Sequence, residues 1–75
     1  MSLEQVFANV FCIPDADVKD ELLLKEIATW DSMSHMMLIM QMEESFKVQL
    51  TSDQIADIKS VGDARFALQI QGAKL

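Results

Sequence analysis

Residues 29–46 read T-W-D-S-M-S-H-M-M-L-I-M-Q-M-E-E-S-F. At about 100° per residue from Ser32, Leu38, Ile39, Met42 and Phe46 fall within one sector, with His35 among them. That sector predicts the core face of an amphipathic helix. Met33, Met36, Met37 and Met40 fall in another, roughly opposite sector, with Glu43, Glu44 and Lys47 near or within it. Ser34, Gln41 and Ser45 form a polar strip between the two. Asp31 is a good N-cap, because its carboxylate accepts from the unpaired N–H groups of a first turn; Ser32 is then the first helical residue. The helix runs to about Lys47. A helix that is apolar on two sides has two readings. Either it is sandwiched and every Met is core, or the Met stripe is open to partners, a role that suits the flexible, polarizable thioether. A chain this short has few helices with which to cover both faces.

Downstream, Thr51 with Gln54 predicts a capping box before a short helix over residues 52–58. Ser60 with Asp63 predicts another before a helix from 61 to about 71, closed by Gly72. Val61, Ala64, Phe66, Leu68 and Ile70 supply its apolar positions. Upstream, Ser2 with Gln5 predicts a capping box, and Leu3, Val6, Phe7, Val10 and Phe11 recur at helical spacing. Pro14 ends that helix through its restriction on the preceding residue. Residues 15–30 are less regular. Asp15, Asp17 and Asp20 suit turns, and Leu22, Leu23, Leu24 and Ile27 anchor a long loop, or a short helix, to the core. The expected fold is all-α: a four-helix bundle with a long loop between helices one and two and a short third helix. Residues 1–75 are expected to form one small domain, and the length favours a free-standing chain.

The composition agrees. Half of the 75 residues are hydrophobic, enough for one modest core, while two Gly, one Pro and no Tyr argue against a sandwich or barrel. Twelve acids against six bases give a formal charge of −6, which excludes nucleic acid as a partner and favours a basic protein surface. The single cysteine, Cys12, has no internal disulfide partner; within Val10-Phe11-Cys12-Ile13 it reads as a small core residue rather than a nucleophile served by His35. There is no secretory signal and no apolar run of the roughly 20 residues that a membrane span needs, so a cytoplasmic location is expected. Asp15-Ala16-Asp17-Val18-Lys19-Asp20, with Glu26 at the twelfth place, echoes a calcium loop. Lys19 at the fifth place and Asp20 at the sixth, where Gly belongs, favour a turn with solvated acids and no metal.

Ser is common at helix starts for local reasons alone. The first turn nevertheless carries unpaired N–H groups and the positive end of the helix dipole, a favourable field for a phosphodiester on Ser32 Oγ. A nucleophilic serine would need a base and an oxyanion site. His35 is one turn away but on the core side, and no G-x-S-x-G elbow is present.

The segment W-D-S-M-S-H-M-M-L-I-M-Q-M-E-E-S-F resembles the second helix of acyl carrier proteins, with Asp31-Ser32-Met33 in place of the family's D-S-L motif and a similar E-E-x-F ending. The run L-T-S-D-Q-I-A-D-I-K-S-V-G-D-A, residues 50–64, resembles the family's third helix and the start of its fourth. Helix one and the long loop match in length and pattern, so the resemblance covers nearly the whole chain. It implies a 4′-phosphopantetheine arm on Ser32, transferred from coenzyme A by a Mg²⁺-dependent phosphopantetheinyl transferase, with Asp31 helping that enzyme hold its metal. The chain would be a substrate and carrier, not an enzyme, and cargo would ride on the arm's thiol as acyl or aminoacyl thioesters. The resemblance also implies docking of an acyl-activating ligase, synthase or acyltransferase on Met33, Met36, Met37, Met40, Glu43 and Glu44 of a monomeric carrier. Two departures stand out. Ser34 and Met37 occupy places where carriers of fatty-acid synthesis typically have acids, and Thr29-Trp30 precede Asp31 where Gly often stands. The W-D-S start is closer to carriers of specialised pathways (polyketide, aminoacyl or surface-polysaccharide assembly). Alternatives are an aminoacyl or peptidyl carrier of the same fold, a non-covalent helical interaction module using the Met face alone, and a small hydrolase built on Ser32 and His35.

Overall fold

The computed structural model describes residues 2–73. Helix α1 is Leu3–Phe11, α2 is Ser32–Phe46, α3 is Ser52–Asp57 and α4 is Val61–Ile70. Short 3-10 turns at Asp15–Asp17 and Leu24–Glu26 punctuate the long α1–α2 connection. Each helix starts where a short polar side chain takes over orphaned amide protons. Ser2 and Gln5 bond reciprocally at the head of α1, and Thr51 and Gln54 at the head of α3. At the head of α4 the expected reciprocity is incomplete. Ser60 Oγ accepts from Asp63 N, but the Asp63 carboxylate turns to Lys59 N, one residue short of the cap. Aspartate has one methylene fewer than the Glu or Gln that normally closes such a box.

The core is wholly apolar among the described residues. Leu3, Val6, Phe7 and Phe11 of α1 meet Leu38, Ile39 and Met42 of α2 and Val61, Ala64, Ala67 and Leu68 of α4. The connection contributes Val18, Leu24 and Ile27, which is how a long irregular stretch stays packed. The rings of Phe7 and Phe11 lie 5.9 Å apart in a tilted pair. Helix α3 fully buries none of its own residues. Cys12 is exposed, contrary to the core position expected from its apolar neighbours. It is the left-handed C-cap of α1, with φ of 58°, so the chain reverses there and its side chain leaves the helix's buried face. Phe66 and Ile70, apolar positions of α4, also face outward.

Two contacts fix the connection to α4. Leu24 N donates to Lys59 O at 2.9 Å and Val61 N to Leu22 O at 3.1 Å, pairing Leu23 with Ser60 in a single antiparallel bridge. Further along, Gly62 N donates to Asp20 O at 2.9 Å. A Cβ at position 62 would lie 3.1 Å from that same oxygen, so the close approach favours glycine: a side chain there needs the backbone to give by a few tenths of an ångström. Arg65 then donates to Asp20 and to Glu4, joining α4 to the connection and to α1.

Candidate functional site

Ser32 is exposed at the first position of α2. It is held there by its neighbours. Asp31 Oδ1 accepts from Ser34 N at 2.8 Å, and Asp31 N donates to Ser34 Oγ at 2.8 Å. The Ser34 amide, and then its hydroxyl, hold the Asp31 carboxyl below the usual carboxylate range. The reciprocal bond from Ser34 lies outside the sequence pattern of a capping box, which names Glu or Gln at that place. Thr29 Oγ1 donates to Phe11 O at 2.8 Å and so ties the approach to Ser32 to the end of α1.

His35 is half-buried, and both of its ring nitrogens are engaged away from Ser32. Trp30 Nε1–H donates to Nδ1 at 3.2 Å, so the proton sits on Nε2, which lies 3.1 Å from Ile55 O and donates to it. The Trp30 and His35 rings meet edge to face. This bridge links the segment before α2 to α3. It also removes the base that a Ser32–His35 hydrolase would need. Residues 20 apart make it, and no local period reports such a contact.

Beside Ser32 runs a groove of about 550 Å³. One wall is Ser32, His35 and Met36 of α2 with Trp30 before it; another is Leu23, Leu24 and Lys25 of the connection; the third is Ala56, Ile58 and Lys59 at the end of α3. Its lining is mostly apolar. Ser32 is exposed and lies in the groove's own lining, so the space could take a long flexible group attached there.

The second sector of α2 is open: Met33, Met36, Met37 and Met40 are 75%, 48%, 51% and 64% exposed. The reading that made every Met core is therefore set aside for these four, while Met42 is fully buried. Glu44 is exposed beside the stripe. Glu43 is half-buried, and its Oε2 accepts from Leu50 N at 2.8 Å, closing the turn after α2. Among the described residues no three His, Cys, Asp or Glu are grouped to hold a metal ion, the acids of residues 15–26 included. No helix among them is long and apolar enough to cross a membrane.

No family model matches the chain. It is 32% identical over 62 residues to an acyl carrier protein of Acidothermus cellulolyticus, a match covering 83% of this chain and 74% of that protein. The solution structure of the holo acyl carrier protein from Geobacter metallireducens superposes with a TM-score of 0.82 at 29% identity, over 92% of this chain and 79% of the other. Sequence kinship at that level and coverage, joined to the same helical architecture, makes this chain a member of the acyl carrier protein family.

Proposed function

We propose that Ser32 is the attachment point of a 4′-phosphopantetheine arm, and that the chain presents acyl or aminoacyl groups on that arm to the enzymes of a specialised biosynthetic pathway. Members of this family are carriers and not enzymes, and the relative from Geobacter metallireducens is a holo form. The observation that carries the reading is the exposed Ser32 hydroxyl at the positive end of α2, directly after its capping Asp31. A phosphodiester there would be stabilised by the dipole, as anions at helix N-termini are.

Attachment forms one bond, from Ser32 Oγ to the phosphorus that bears pantetheine, and breaks the pyrophosphate bond of coenzyme A. Adenosine 3′,5′-bisphosphate leaves. Because His35 commits both nitrogens elsewhere, the proton of Ser32 passes to a base of the transferase. Asp31 is the carboxylate best placed to help that enzyme hold its Mg²⁺. When bound, the arm supplies a terminal thiol that holds cargo as a thioester. The chain's own part is to fix the anchor and to offer a face. Met33, Met36, Met37 and Met40 form the apolar part of that face, with Glu43 and Glu44 at its edge, and it fits partners with mixed apolar and basic patches. Ser34 and Met37, where carriers of fatty-acid synthesis typically have acids, favour enzymes of other pathways. We assign the whole chain to one monomeric carrier domain working in the cytoplasm.

The test is intact mass. Incubation with coenzyme A, Mg²⁺ and a broad-specificity phosphopantetheinyl transferase is expected to add one phosphopantetheine, and Ser32→Ala is expected to add none while keeping its helical circular dichroism. No mass gain with any of several transferases would overturn the reading in favour of a non-covalent interaction module.

A further inference from the structure

The groove beside Ser32 is unusual in its charge. The chain has twelve acids and six bases, yet no carboxylate lines the groove and two lysines do. Both ammonium groups are exposed, and among the described residues neither has an ion-pair partner; the ion pairs belong to Arg65. Asp57, two residues before Lys59, is exposed but makes no ion pair with it and does not line the groove, and three other neighbouring acids face other groups. Glu26 accepts from Leu23 N, Asp31 from Ser34 N and Asp63 from Lys59 N. The two lysines are also brought together by backbone. Leu24 N donates to Lys59 O, so Lys25 follows directly the residue bonded to Lys59. Like charges brought to one groove repel, and no carboxylate of the lining offsets them.

The other polar side chains of the lining are spent. Trp30 Nε1–H goes to His35, His35 goes to Trp30 and Ile55, and Ser32 is the anchor. What remains for recognition inside a mainly apolar groove is a pair of ammonium groups. An arm fixed at Ser32 brings an anion in two ways: through its phosphodiester, or through a carboxylate on its cargo. The phosphodiester is tied to α2, whereas both lysines stand on the other two walls. We propose that the groove selects acyl groups whose far end carries a carboxylate, with Lys25 and Lys59 as its specificity-determining residues. This rests on the attachment of an arm at Ser32.

The experiment compares three forms of the full chain, made by transferase from coenzyme A, octanoyl-coenzyme A and octanedioyl-coenzyme A. The readouts are the Cε–Hε NMR signals of Lys25 and Lys59, assigned with Lys25→Met and Lys59→Met, and the half-life of the thioester toward hydrolysis. Both lysine signals are expected to move on octanedioyl loading and to stay in place in the holo and octanoyl forms. The octanedioyl thioester is expected to outlive the octanoyl one by roughly threefold at low salt, the scale of an exposed ion pair. That ratio should fall toward unity in the double variant and at about 1 M salt. Equal movement in the holo form would assign the lysines to the phosphodiester and overturn the proposal. So would equal movement with octanoyl, or a ratio that the double variant leaves unchanged. Failure of the attachment itself is distinguishable, because it appears as a missing mass gain before any lysine is measured.

Discussion

Glu43 and Glu44 are adjacent acids at the edge of one helix face, and they do different things. Glu43 accepts from the amide of Leu50, whose residue is buried, while Glu44 is free in solvent. Glu43→Ala leaves that amide without its partner and is expected to cost about 1–3 kcal/mol in urea denaturation, whereas Glu44→Ala should stay within about 0.5 kcal/mol. Met37, half exposed, makes a complementary test. Met37→Glu is expected to leave stability within about 0.5 kcal/mol and to raise KM for arm transfer by the host's transferase. A loss above about 2 kcal/mol, the size of a core defect, would place Met37 inside. At this scale the sequence is readable where partners are three residues apart, as at Ser2, Asp31 and Thr51. It is silent where they are not. Nothing local signals that Glu43 bonds seven residues on, or that His35 joins Trp30 to Ile55. Cys12 misleads because a left-handed cap overrides the apolar run around it.

Among the elements, α3 is the least anchored. It has six residues and fully buries none of them, though it forms a wall of the groove and accepts the bond from His35. Its integrity therefore depends on its cap. Thr51→Ala is expected to cost about 1 kcal/mol and to speed hydrogen exchange at Ile55 more than at Leu38. Uniform exchange at both sites would mean that α3 opens only with the whole bundle. Helix boundaries were legible within a residue or two because Ser, Thr, Asp and Pro mark them by local chemistry. Which side of α4 faces inward was not: Phe66 and Ile70 are as apolar as Leu68, and only the placement of α1 and α2 makes them surface. Val18 entered the core with no periodic signal at all, because an irregular segment has no period.

The whole molecule is held by an apolar centre and a surface clasp. Arg65 reaches Glu4 and Asp20, partners 61 and 45 residues away, and sequence spacing gives no hint of either. The hydrogen bond from Arg65 lowers the Glu4 carboxyl below its ordinary range. A carboxyl lowered by folding stabilises the native state above its unfolded-state range and loses that contribution as pH falls through the lowered value. Glu4→Gln is therefore expected to lower Tm at neutral pH, with the gap closing as the pH drops below about 4. A gap that persists in acid would mean that the glutamate acts through packing and not charge. The overall architecture was legible from the apolar spacing of three helices and from the cap of the short one. The groove was not, because its three walls come from segments that only folding brings together.

Position 62 carries a consequence for how this scaffold can vary. The nearest obstacle to any side chain there is main-chain oxygen of residue 20, which cannot rotate aside as a flexible side chain would. A methyl group would press on that oxygen at 3.1 Å, and the long connection would have to yield by a few tenths of an ångström beside the residues that Arg65 joins. What a substitution costs at this one site is thus set by how far a neighbouring backbone can give, and not by any chemistry of the side chain itself.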